Sequence, residues 1–205
     1  MYAPPYNRIE ERRELVDFMR AHGFALLVTA TGGVPMGSHL PVTVGDGDQG
    51  LVIHSHMAKA NPQWQEFFED EVLVVFAGPH AYVSPRWYEA KERVPTWNYA
   101  AVHAYGRVHV TSAADLKHAS QRQLVAEHDP EWLPKFDALR PEYVAQMLEA
   151  IVTFDIAVTR LETRWKLSQN RGRREQELIA AELDKSDDPS VRALAALTRR
   201  HLAQR

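Results

Sequence analysis

The chain has 205 residues, 24 Lys+Arg against 27 Asp+Glu for a formal net charge of −3, 45% apolar residues and no cysteine. That length supports a core without staples, and the balanced composition excludes a disordered or collagenous chain. The missing thiol excludes disulfides, Cys-ligated metal centres and thiol catalysis, and the mild acidity withholds the bulk positive field of a dedicated nucleic-acid binder.

The opening reads as a helix, with Asn7 as its cap, Glu10 completing a capping box and Gly23 as its stop. A run of β-type segments follows. Phe24 to Ala30 is a short apolar strand and Thr31-Gly32-Gly33 a turn. Val34 to Val44 is extended, with Pro35 and Pro41 confining it to an edge or a bulge. Gly45 to Gly50 is a loop, and Leu51 to Ser55 a third strand. Ala58 to Glu69 reads as a helix carrying Trp64, Phe67 and Phe68. Val72 to Ala77 is a buried strand, Ala81 to Ser84 a shorter one, and Thr96 to Thr111 a long strand or a bent pair. Beyond Ser112 the pattern turns helical, over Ala113 to His128 and Pro141 to Glu149. Ile151 to Leu161 returns to strand. Glu175 to Leu183 and Pro189 to Gln204 read as terminal helices, with Asp188 capping the last. Clean βαβα alternation is absent, so an antiparallel barrel with peripheral helices is expected in place of a doubly wound sheet. No apolar run reaches the length of a membrane span, and Met1 to Arg13 carries no signal-peptide pattern. A soluble, cytoplasmic protein is expected.

Glycine-rich phosphate loops and a Gly-x-Ser-x-Gly elbow are absent. Five segments carry polar chemistry instead. His54 to Lys59 lies where a strand is expected to give way to a helix. Ser55, His56 and Lys59 there could form a phosphate cradle with the free N–H groups of the helix start, or Ser55 could simply cap that helix. His54-x-His56 places two imidazoles on one strand face, and His39 or His80 could supply a third metal ligand, but there is no His-Glu-x-x-His and no carboxylate fixed nearby in sequence, so no metal site is expected. Ser38 and His39, on a proline-interrupted strand, can offer backbone and side-chain groups to a flat heterocycle. Trp87 and Trp97 lie in two Pro-Trp-Tyr-rich loops and serve equally well as cofactor walls or as packing. Lys166, Ser168, Gln169 and Asn170 concentrate groups suited to an anion or a polar ring edge.

Six motifs, in order, resemble one known family: His39-Leu40-Pro41, Ala60-Asn61-Pro62-Gln63-Trp64, Gly78 to Tyr88, Val94 to Tyr99, Val102 to Gly106 and Lys166 to Arg171. Together they resemble the PaiB-type family of FMN-binding negative transcriptional regulators. The resemblance implies a mainly β fold with peripheral helices, the FMN-binding split β-barrel of pyridoxamine 5′-phosphate oxidase-like proteins. The barrel domain would span residues 1–170, and a C-terminal helical extension residues 171–205. It implies a homodimer with FMN in clefts between subunits. In oxidase relatives a Ser-Arg-Lys stretch grips the FMN phosphate. Its counterpart here is His54 to Lys59, which lacks the arginine and keeps Lys59. The implied cofactor-binding set is Ser38, His39, His54, Ser55, His56, Lys59, Asn61, Trp97, Asn98, Lys166, Ser168, Gln169 and Asn170, with no metal. Lys166 is the candidate cation for the flavin N1–C2 edge.

The family reading is a flavin-binding regulator. The charge of −3 and the absence of a helix-turn-helix speak against strong direct DNA contact. The alternative is a flavin-dependent oxidoreductase resembling flavin reductases, or a haem-binding split-barrel protein with an axial histidine from among His39, His54, His56, His80 and His103. A cofactor-free dimeric scaffold is the third reading.

Overall fold

In a computed structural model, residues 1–48, 50–67, 71–89 and 92–204 are described. Six strands form a closed barrel: β1 (Phe24–Thr29), β2 (Met36–Gly47), β3 (Gly50–Ala58), β4 (Val72–Val83), β5 (Thr96–Thr111) and β6 (Ile151–Lys166). Their order around it is β1-β2-β3-β6-β5-β4. β1 pairs antiparallel with β2 and β4, and β3 antiparallel with β2 and β6. The helices are α1 (Arg12–Ala21), α2 (Ala114–His128), α3 (Leu133–Asp137), α4 (Pro141–Glu149), α5 (Arg173–Leu183) and α6 (Pro189–Ala203). Among the described residues no helix is long and apolar enough to cross a membrane.

The chain divides into two compact units. One is Met1–Leu15 with Ala77–Val102 and Glu162–Arg205; the other is Val16–Phe76 with His103–Leu161. In the second unit, alternate residues of β3 point inward, so Leu51, Ile53, Ser55 and Met57 are buried. Phe76, Phe154 and Ile156 complete that core, and Phe67 packs on Phe154 at 4.8 Å between ring centroids. Gly106 is required by a close approach: a Cβ there would overlap the Ala157 carbonyl and stand 2.7 Å from Ile156 Cγ2. In the first unit, α5 and α6 pack on each other and bury Ile179, Leu183, Leu194 and Leu202. Asp188 caps α6 by accepting the Ser190 N–H at 2.8 Å, as expected from the Asp-Pro pair.

Several elements differ from the sequence expectation. The first helix starts at Arg12, and Asn7 lies buried in a 3₁₀ turn, Pro5–Asn7. Gly23 is needed for close packing, since a Cβ there would stand 2.9 Å from the Val42 carbonyl oxygen. Ala81 to Ser84 is no separate strand, for Ala81–Val83 is the end of β4, which runs unbroken through Gly78 and Pro79. Nor does the last strand stop at Leu161; it continues to Lys166.

The largest difference is at Ala58 to Glu69. β3 runs to Ala58, paired with Ile151, and only a five-residue 3₁₀ turn, Pro62–Glu66, follows. Pro62 disfavours helical backbone at the residue before it, and Asn61 is extended at φ −72°, ψ 116°. Phe68 and Glu69 lie outside the described residues.

Candidate functional site

Each unit carries its own group of the expected residues. In the second unit, Ser38, His39, Lys59 and Asn61 gather near the ends of β2 and β3. Asn61 Nδ2 donates to Ser38 Oγ at 2.9 Å, while its Oδ1 accepts the Gln63 N–H at 3.0 Å. Gln63 is fully buried, and its amide nitrogen donates to the carbonyls of Met36 at 3.0 Å and Leu27 at 3.3 Å. The 3₁₀ turn is thereby riveted to the β1–β2 hairpin that carries Ser38. His39 is exposed, its ring stacked on Phe24 at 5.8 Å.

Lys59 is held by its backbone alone. Its N–H donates to the Ala150 carbonyl at 2.8 Å, and its carbonyl accepts the Trp64 indole N–H at 3.0 Å. The ammonium is exposed and makes no hydrogen bond or ion pair among the described residues. A fixed backbone under a free cation suits an anion arriving from solvent.

His54, Ser55 and His56 are differently placed. The Ser55 hydroxyl is buried and donates to the Pro41 carbonyl at 2.8 Å. Its one proton is committed, so only its lone pairs remain. His54 stands opposite Asp155 in the β3–β6 register, with Nδ1 2.6 Å from Oδ1. His56 faces Thr153 across the same ladder, and burial lowers its pKa below the usual imidazole value. Both imidazoles line a narrow crevice shared with Ser120 and Gln121 of α2, which has no room even for a water molecule. Ligand clefts for drug-sized molecules enclose about 300–1,000 Å³, so no flavin fits inside this one. The helix dipole expected behind His54 to Lys59 is absent, because a five-residue 3₁₀ turn stands there. Among the described residues no cluster of His, Asp and Glu could hold a metal ion.

In the first unit, β5 and the segment after β6 bring Trp97, Asn98, Lys166, Ser168 and Gln169 into two contact sets. Asn98 is fully buried. Its Nδ2 donates to Ser168 Oγ at 2.9 Å, and Ser168 Oγ lies 3.2 Å from Asn98 Oδ1 in a reciprocal pair. Ser168 has φ 65°, the left-handed region that a residue with a Cβ rarely occupies. Gln169 stabilises the turn: its Oε1 accepts the Leu167 N–H at 2.7 Å and its Nε2 donates to the Trp165 carbonyl. Lys166 Nζ donates to Thr96 Oγ1, and burial, then the Arg164 charge, lowers its pKa. Trp97 is half exposed; its indole donates to His80 Nδ1 at 3.3 Å, and Tyr82 meets it edge-on. Asn170 is exposed. Arg171 lies over the Tyr88 ring at 4.2 Å.

Three side chains escaped sequence reasoning. Gln63 was visible inside Asn61-Pro62-Gln63-Trp64, but its buried role needs the hairpin. Asp155, within an apolar run, reveals itself only through the register with His54. Lys117, on a polar helix, has no local signal.

Within the second unit the groups suit a flavin nucleotide in kind: an ammonium with no partner among the described residues for a phosphate, and a half-buried hydroxyl and an exposed imidazole for a ring edge. Residues 1–160 match the family model described as "Putative FMN-binding domain". The chain is 34% identical over 201 residues to the protease synthase and sporulation protein PAI 2 of Bacillus subtilis, covering 96% of each. Its fold is similar to that of the flavocytochrome Anf3 from Azotobacter vinelandii, with TM-score 0.61 and 19% identity over 80% of this chain and 72% of that one. It is equally similar to the FAD and haem binding protein from Mycobacterium smegmatis, with TM-score 0.61 and 16% identity over 90% and 95% of the two chains. The chain belongs to the PaiB-type family of FMN-binding-domain proteins and has the split-barrel fold.

Proposed function

We propose that this protein binds FMN in the cleft of a homodimer and acts in the cytoplasm as a flavin-linked negative regulator. The observation that carries the reading is Lys59, a cation with a pinned backbone and an ammonium that has no partner among the described residues, in a chain of an FMN-binding-domain family. Lys59 neutralises the phosphate. Ser38, oriented by Asn61, and His39 meet the ring edge. Trp97 and Lys166, in the other unit, are a second candidate group, an apolar wall and a cation suited to the pyrimidine side of a flavin ring. Asn98, Ser168 and Gln169 hold the turn that carries Lys166 and Asn170. Bound FMN supplies one- and two-electron redox chemistry. The relative from Bacillus subtilis is named for protease synthesis and sporulation, which supports regulation over a single metabolic substrate.

The test is a spectral titration with FMN and haem side by side. Saturable flavin binding with no Soret change supports the proposal. A Soret shift at lower concentration than the flavin response would favour the haem reading that two structural neighbours' names suggest. FMN-dependent NAD(P)H oxidation would move the assignment to an oxidoreductase, and a salt-dependent shift of a promoter fragment would support regulation through DNA.

A further inference from the structure

The junction between α4 and β6 collects two lysines from distant parts of the sequence. Ala58, the last residue of β3, pairs with Ile151, the first of β6. The next residue, Lys59, donates its N–H to the Ala150 carbonyl. Lys117, from the first turns of α2, donates its ammonium to the carbonyls of Leu148 at 2.6 Å and Ile151 at 2.9 Å. Both lysines are thus tied to the four residues Leu148 to Ile151. The Leu148 carbonyl, in the last turn of α4, is one that its own helix cannot satisfy.

Lys117's two partners are neutral carbonyls, and an ammonium has three N–H donors. One donor and the whole charge therefore remain without a carboxylate in contact among the described residues. Burial pushes the Lys117 pKa down, the Lys59 charge pushes it further, and Glu149 pulls it partly back. The backbone of Lys59 and the ammonium of Lys117 converge on one junction, where an anion of charge near −2 would stabilise both cations.

We propose that Lys59 and Lys117 together form a two-cation site for a phosphomonoester, with Lys117 as the second cation of the FMN phosphate site. The inference rests on the flavin reading above, but its chemistry is that of any phosphomonoester. Lys117 is held in place before the ligand arrives, so its charge costs little ordering on binding.

The test uses the full chain and four forms: wild type, Lys117→Gln, Lys117→Arg and Lys59→Met. Lys117→Gln keeps a donor for the carbonyls and removes the charge. Flavin fluorescence is titrated with FMN and with riboflavin, which lacks the phosphate, and melting is followed with added inorganic phosphate. Lys117→Gln should weaken FMN about tenfold and riboflavin less than about twofold. Lys117→Arg should keep FMN affinity, and phosphate should stabilise wild type but neither charge-removed form. Equal loss of both flavins, or no loss of FMN, overturns the inference. Should Lys117→Gln fail to fold, Lys59→Met carries the test, because the Lys59 side chain makes no bond among the described residues; an unchanged phosphate response there overturns the site. FMN binding that ignores Lys117 rejects the second cation and leaves the flavin reading standing. Lys117-dependent stabilisation by phosphate in a chain that binds neither flavin keeps the anion site and rejects the flavin reading.

Discussion

Ser168 offers a stability experiment in which two substitutions of the same residue should differ in a set direction. Its hydroxyl and the fully buried Asn98 amide form a reciprocal pair. Its backbone is left-handed at φ 65°. Ser168→Ala removes both hydrogen bonds, worth about 0.5–1.5 kcal/mol each, and strands the Asn98 amide. The left-handed backbone stays strained. The expected loss is about 2–3 kcal/mol. Ser168→Gly removes the same bonds but relieves a left-handed penalty of about 1–2 kcal/mol. Glycine's greater unfolded-state entropy returns about 0.5–1 kcal/mol of that. The glycine variant should therefore be more stable than the alanine variant by about 0–1.5 kcal/mol. Urea unfolding with a common m-value measures the difference, and a chain of this length should show about 2–4 °C in Tm per kcal/mol. A glycine variant less stable than alanine would refute the strain argument. Both variants at wild-type stability would refute the buried pair.

Lys59→Ala should weaken FMN about ten- to a hundredfold, the worth of ~1.5–3 kcal/mol for a hydrogen bond to a charged group, with the fold unchanged by circular dichroism. Burial lowers the pKa of His22, His56 and His103 below the ordinary imidazole value. The unfolded chain therefore takes up these protons first as pH falls, so their effect on stability is flat above about pH 6.5 and destabilising below it. His56→Gln should flatten part of that acid slope in urea midpoints, and an unchanged slope would exclude His56 as a contributor. Gly106→Ala places a Cβ against the Ala157 carbonyl and Ile156. It should cost about 1–3 kcal/mol or prevent folding, and native-like stability in calorimetry would contradict the close approach.

The barrel was legible because its strands announce themselves through Val, Ile and Phe runs such as Val72 to Ala77, and because βαβ alternation is missing. The helix expected at Ala58 to Glu69 failed for a local reason: Trp64 and Phe67 have helical spacing, but Asn61-Pro62 breaks the backbone and β6 claims Ala58 for its ladder. Among site residues, Lys59 and Asn61 were visible as motif members. Whether a polar group is free was not visible. Ser55 and His56 look like open ligands in a string of letters, yet one hydroxyl is committed to Pro41 and the imidazole lines a cavity too small for a flavin. Lys117 lies 58 positions from Lys59 in the chain, and only the α4–β6 junction brings their partners together.

The most direct test of the account is the affinity of the purified chain for FMN relative to riboflavin, by equilibrium fluorescence titration. An anion site at Lys59 predicts saturable binding with FMN at least about tenfold tighter than riboflavin. Equal affinity for the two flavins, or no binding of FMN at all, would contradict it.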